Sequence, residues 1–274
     1  MKFRLITLAI FLFFISLTYG QRKPKIRGSR LVIETTQELD PFTAIELNDD
    51  LDIVLRKASD CGYSLVIDDN LVDILKFRVE DETLKISSFY NIVAKKKMEI
   101  IVYYNTLNAL TMVDGKIEMK DHINTDALAI STYGSSKLQL NVDAQTVEVM
   151  MLDNSFAELN IVADTLNMSF KDRVDAEIFA TTKVQNFDMY KNAQLKINGN
   201  TEGMNVNLFE NASLKASDLD AGDVTLALEA SSSAYIKAFN NFSLSSKDSA
   251  KTYLYGPAAI TIVDFLNTSQ LNKR

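Results

Sequence analysis

Apolar and polar residues alternate along most of the chain, and between Ala127 and Gly256 the alternation itself recurs. Ile130, Val149, Met168, Phe187, Val206, Leu226 and Leu244 fall at successive intervals of 19, 19, 19, 19, 20 and 18. Around each anchor the order is the same. Leu128-x-Ile130 leads through Tyr133-Gly134-Ser135-Ser136 into Leu138-x-Leu140. One period later, Val147-x-Val149-x-Met151 leads through Asp153-Asn154-Ser155 into Leu159-x-Ile161. A period of two makes these units strands rather than helices, and self-similarity at a fixed short spacing marks a solenoid. The expected fold class is therefore all-β, a parallel β-helix of coils of about 19 residues. Coils stacked about 4.8 Å apart would extend seven repeats over roughly 34 Å.

A coil cannot bury its apolar edge alone, so its stability lies in its neighbours. The expected inward ladder runs through Ile130, Val149, Met168, Phe187, Val206, Leu226 and Leu244. A second is drawn through Leu138, Leu159, Ile178, Leu195, Leu214, Tyr235 and Tyr253. Each fully buried side chain contributes roughly 1.5–3 kcal/mol, most of which the entropy of ordering opposes. The turns read Gly134-Ser135-Ser136, Asn154-Ser155, Asn192-Ala193, Asn211-Ala212-Ser213 and Ser231-Ser232-Ser233. Asn tolerates the left-handed conformation, and Asn and Ser both bond back to the backbone, so either residue closes such turns. Pro257 stops the repeats. Residues 257–266 supply a last strand, and 267–274 a polar tail.

Upstream, residues 38–106 read as further strands of the same domain. Phe42 to Leu47 precedes the polar turn Asn48-Asp49-Asp50, and Leu51-x-Ile53-x-Leu55 alternates cleanly. Tyr63-x-Leu65-x-Ile67 follows, after which Asp68-Asp69-Asn70 is placed to cap a short helical turn, Leu71 to Leu75. Phe77-x-Val79 and Leu84-x-Ile86 flank a hairpin turn, and Met98-x-Ile100-x-Val102-x-Tyr104 is a strong strand. Lys95-Lys96-Lys97 reads as a solvated turn. Residues 21–37 form a basic, polar leader expected to be flexible, with Leu31-Val32-Ile33 as a first short strand.

Phe42-Thr43-Ala44-Ile45-Glu46-Leu47 followed by Leu51-Asp52-Ile53-Val54-Leu55 resembles the opening of the auto-transporter adhesin head GIN domain, a family found mostly in Bacteroidetes envelopes. The likeness continues through Leu65-Val66-Ile67-Asp68-Asp69-Asn70-Leu71 and Val79-Glu80-Asp81-Glu82-Thr83-Leu84-Lys85-Ile86. It covers roughly Phe42 to Gly256, although the turns lack the Gly-Ser-Gly frequent in that family. The resemblance implies an exported β-solenoid with an adhesin-like role.

The first twenty residues alter the location. Lys2 and Arg4 precede an apolar run from Leu5 to Leu17, and Thr18-Tyr19-Gly20 offers small residues for cleavage. Residues 1–20 thus read as a signal peptide; an uncleaved anchor is the alternative. Without Lys2 and Arg4, 27 basic residues face 36 acidic ones, a balance of −9. That excess argues against nucleic-acid partners. No later stretch is apolar enough to span a membrane. Expected locations are the periplasm, the outer membrane or the outside of the cell. Cys61 is the single cysteine, so an internal disulfide is excluded.

Chemistry is scarce. His122 is the one histidine, a triad needs a base beside a nucleophile, and Cys61 and His122 are too far apart in sequence to suggest zinc. No phosphate-cradling loop occurs. The acids Glu148, Glu158, Asp175, Glu177 and Asp188 are candidates for a carbohydrate-active β-helix site, but read as scattered rather than as one ladder. Asp218-Leu219-Asp220-Ala221-Gly222-Asp223 is rich in oxygen ligands yet lacks a calcium-loop pattern. No catalytic, cofactor or metal residue is assigned. Outward Asn, Ser, Thr, Lys and Tyr (Tyr103, Tyr133, Tyr190, Tyr235, Tyr253, Tyr255) suit glycans or another envelope protein. The expected function is a non-catalytic exported binding or scaffolding module. The alternatives are a polysaccharide lyase or hydrolase, or a periplasmic regulatory domain. Ligand and oligomeric state are not legible.

Overall fold

The computed structural model describes residues 23–274; the expected signal peptide at 1–20 lies outside the described residues. Ten short strands come first: β1 (Lys25–Arg27), β2 (Val32–Glu38), β3 (Ala44–Leu47), β4 (Asp52–Lys57), β5 (Gly62–Asp68), β6 (Leu75–Glu80), β7 (Thr83–Ser88), β8 (Asn91–Ala94), β9 (Met98–Tyr104) and β10 (Ala109–Met112). Seven long strands follow: β11 (Lys116–Thr132), β12 (Lys137–Met151), β13 (Phe156–Phe170), β14 (Asp175–Met189), β15 (Gln194–Leu208), β16 (Ser213–Leu228) and β17 (Ser233–Ser246). The chain ends in β18 (Lys251–Tyr255), β19 (Ala259–Phe265) and β20 (Gln270–Lys273). The result is a parallel β-solenoid of about nine turns of about 19 residues.

Each long strand pairs in parallel with its copy one coil on. Gln145, Asp164, Lys183 and Glu202 drop out of the pairing. There the strand bends, which divides every coil into two flat faces. In β12, residues 137–144 lie on the first face and 146–151 on the second. Ile130, Val149, Met168, Phe187, Val206, Leu226 and Leu244 are successive partners on the second face. All are buried. The same ladder continues upstream through Leu110, Ile45 and Leu84, and downstream to Ile262.

The second ladder is corrected. Leu138 stacks on Ala157, Ala176, Leu195, Leu214, Ala234 and Thr252, whereas Leu159 and Ile178 belong to a separate ladder two positions on, with Leu140 and Ile197. Small inward residues carry no bulky apolar signal in the sequence, and the next large apolar positions, Leu159 and Ile178, belong to the neighbouring ladder. Tyr235 and Tyr253 lie on the outer side, after Lys215.

The turns also differ from expectation. The left-handed residue is Gly134, Asp153, Asp172, Lys191, Glu210, Ala230, Asp248 or Asn267, one position before most of the asparagines. Stacking of the turns decides this: the N–H of Asn154 donates to the Gly134 carbonyl at 2.9 Å, and that of Asn211 to Lys191 at 2.9 Å. Two residues after most of these left-handed positions (Val174, after Asp172, is the exception) a small side chain points inward. Ser136, Ser155 and Ser232 are buried there, donating to the carbonyls of Tyr133, Leu152 and Glu229 at 2.6, 2.6 and 2.8 Å.

At the N-terminal end, sequence order and stacking order part company. The coil made by β3 and β4 lies between β7 and β9 on one side and β10 and β11 on the other. Beyond it, β5 runs antiparallel to β9 and β2, and β6 antiparallel to β7. These antiparallel strands close that end, so Leu84 and Ile86 are fully buried. The expected flexible leader is in fact strand over β1 and β2, β1 pairing with β8. The expected polar tail likewise holds β20, paired with β18. Backbone pairing sites on neighbouring strands recruit both segments despite their polarity. Asp69–Leu71 is a single 3-10 turn without a side-chain cap. Asp68 instead accepts from the backbone N–H groups of Arg30, Lys96 and Lys97 at 3.1, 3.1 and 3.3 Å. The lysine run thereby closes over a buried carboxylate. Burial pushes that carboxyl up, but the N–H donors of Lys96, Arg30 and Lys97 and the Lys96 charge outweigh it and hold it below its ordinary value.

Candidate functional site

The solenoid converts a 19-residue spacing into a straight row on its surface, because partners in register share a face. On the outer side of the first face one row runs Glu118, Gln139, Glu158, Glu177, Lys196, Lys215, Tyr235 and Tyr253. Glu158 and Glu177 do recur on one ladder, contrary to the sequence reading, which looked for all five acids together. Asp175 is on the adjacent outward row beside Phe156 and Gln194. Glu148 and Asp188 are on the second face, against Asn167 and Asn207. The row is acidic towards the N-terminal coils and basic, then aromatic, towards the C-terminal ones.

Its contacts are sparse. Lys196 Nζ lies 3.5 Å from Glu177, and Lys116 bonds Glu118, which raises the Lys116 ammonium above its ordinary value. The rings of Tyr235 and Tyr253 stack 4.5 Å apart, nearly parallel at 11°. The Arg274 guanidinium sits 5.8 Å from the Tyr253 ring. Among the described residues, the polar ends of Gln139, Glu158, Lys215, Tyr235 and Tyr253 hydrogen-bond to no other group.

On the second face, as between Asn160 and Asn141 on the first at 2.7 Å, outward amides bond along the stack. Asn186 donates to Asn167 at 2.8 Å, Asn205 to Asn186 at 2.9 Å, and Asn207 to Asp188 at 2.8 Å. Amides that bond along the stack have less hydrogen-bonding capacity left for a ligand. A shallow groove of about 580 Å³ follows the bend through Gln145, Asp164, Lys183 and Glu202, with Lys183 paired to Asp164 at 2.8 Å.

The remaining candidates are dispersed. His122 is exposed and Cys61 buried and free. Asp220 pairs with Lys237 at 2.8 Å and Asp223 accepts from Asn241 at 2.7 Å. Tyr190 stacks on Phe209 at the turn edge, 4.9 Å apart, and Tyr103 lies 3.3 Å from Ser64 Oγ. Among the described residues no three His, Cys, Asp or Glu side chains group as metal ligands, and no helix is long and apolar enough to cross a membrane.

The family described as "Putative auto-transporter adhesin, head GIN domain" matches the chain over residues 41–184 and again over 157–258. No curated protein matches. Among solved structures, a putative adhesin from Parabacteroides distasonis is 14% identical with a TM-score of 0.68, covering 90% of this chain and 99% of its own. One from Parabacteroides merdae is 14% identical with a TM-score of 0.66, covering 92% and 99%. A third, described as a putative lipid binding protein from Parabacteroides distasonis, is 18% identical with a TM-score of 0.66, covering 91% and 99%. At such identities the likeness is one of fold.

Proposed function

The chain belongs to the putative auto-transporter adhesin, head GIN domain family, and from that premise we propose that it is an exported, non-catalytic binding module holding a glycan along the row from Glu118 to Tyr253. The adhesin-like descriptions of the family and its neighbours support a binding role. The observation that carries the site is one straight row on which Glu158, Lys215 and the phenols of Tyr235 and Tyr253 have no hydrogen-bond partner among the described residues, beside a long Lys196–Glu177 pair at 3.5 Å. Lys196, Lys215 and the two tyrosine hydroxyls suit a sugar chain bearing acidic groups, since charge-assisted bonds are the strong ones.

The test is affinity electrophoresis of the purified chain through neutral, uronate-containing and sulfated polysaccharides. Retardation by acidic polymers, weakened by Lys196→Ala with Lys215→Ala, supports the reading. Equal mobility in every gel overturns it. A second reading rests on Glu158 and Glu177, adjacent carboxylates beside Lys196, the kind of pair that cleaves glycosides. Sugar release that is lost in Glu158→Gln or Glu177→Gln would establish that reading instead. Fractionation separates both from a periplasmic regulator: a pool confined to the periplasm counts against adhesion.

A further inference from the structure

The two ends of the solenoid are built differently. At the N-terminal end the last ladder rungs, Leu84 and Ile86, are 0% exposed beneath antiparallel strands. At the C-terminal end the ladders stop at Ile260, Ile262 and Phe265, which register with Phe242, Leu244 and Ser246. These three are core-position residues, yet they are 42%, 47% and 44% exposed. Val263 and Leu266 beside them are more exposed still. Among the described residues β19 pairs only with β17 and β20 only with β18. Their outer N–H and C=O groups therefore face away from the stack.

Repeat proteins cap their ends with polar coils, and free strand edges are normally blunted by charge, proline or distortion. β19, with sequence Ala-Ile-Thr-Ile-Val-Asp-Phe, has one charge, no proline and a bulge at Val263 that leaves the apolar rungs in place. Towards the other end the free edges β2 and β6 carry Glu34 and Glu38, and Lys76, Arg78 and Glu80. So the chain charges the edges at the closed end and leaves the β19 edge apolar.

We infer that the C-terminal coil docks end to end on the same coil of a second copy, forming a closed two-fold dimer. The occupant follows from the ends themselves. A head-to-tail stack is blocked, because the N-terminal coil is closed by antiparallel strands. The open coil finds a matching cross-section and matching rungs in its own counterpart. A two-fold axis running perpendicular to β19 sets it antiparallel to its own copy, an arrangement in which edges can pair directly. Charge agrees: the end bears one acid, Asp264, on β19 and two bases, Lys273 and Arg274, on and after β20. A two-fold contact can match these rather than oppose them. The apolar rungs of both copies then leave water, as every earlier rung does.

Sedimentation of the full chain across micromolar concentrations tests this. A monomer–dimer equilibrium is expected, with the dimer about twice the monomer's length in X-ray scattering. Ile262→Lys with Phe265→Lys, at exposed positions, should raise the dimer dissociation constant at least about ten-fold, and Leu31→Lys at the other end should not. Because the double variant risks misfolding, Thr261→Cys provides an independent reading: mild oxidation should link two copies covalently. A chain that stays monomeric, forms longer polymers, or dimerises with sensitivity to Leu31→Lys alone overturns the inference, as does failure of Thr261→Cys to cross-link.

Discussion

Gln185 donates through Nε2 to Thr182 Oγ1 at 2.9 Å inside the core. Its Oε1 has no protein partner among the described residues. The side chain is fully buried on a ladder between Leu166 and Met204. A buried polar atom left unsatisfied costs about 1–3 kcal/mol. Gln185→Leu should therefore raise the melting temperature, by roughly 2–4 °C for each kcal/mol in a chain of this size. A fall of similar size would mean that Oε1 holds an internal water.

Ala230 occupies the turn position at φ 60° that Gly134 occupies five coils earlier. A Cβ in this conformation costs roughly 1–2 kcal/mol. Ala230→Gly should raise the melting temperature by a few degrees. Gly199→Ala is expected to lower it, since φ is 117° and the added Cβ would lie 2.0 Å from the Ala180 carbonyl oxygen. Thermal melts of the two variants check both signs; destabilisation by Ala230→Gly would contradict the turn assignment.

The Asp68 carboxylate gives stability an acid limit. Its folded pKa is held below the ordinary 3.8, so its contribution is fully present above that value and is lost as pH falls through the lower folded value. Asp68→Asn should melt below the wild type at neutral pH, and the gap should close on acidification. A gap unchanged between neutral and strongly acid solution would show that the carboxylate charge is not what Arg30, Lys96 and Lys97 hold.

The ladder through Ile130 and Leu244 was legible because large apolar residues recur at an unbroken spacing. Glu158, Glu177, Lys196 and Lys215 recur just as regularly. They escaped because charges change sign along the row, and a solvated strand face tolerates any of them. Leu138 and Leu159 were joined wrongly because Ala157 holds the inward position between turns. Ile45 stacking on Leu110 was out of reach altogether: the chain leaves after β4, builds the antiparallel end, and returns. No local pattern encodes that detour, and none reveals that, among the described residues, no strand stacks on the far side of β19.

Everything rests on coils stacked in register one repeat apart, and paired cysteines read that register directly. Asn186 and Asn205 are partners in adjacent coils, while Asn167 and Asn205 are two coils apart. A disulfide needs Cα atoms within about 7 Å, and coils are about 4.8 Å apart. Asn186→Cys with Asn205→Cys should therefore oxidise to an intramolecular bond, and Asn167→Cys with Asn205→Cys should not. A bond in the second pair, or free thiols in the first, would contradict the solenoid register on which the outer row depends.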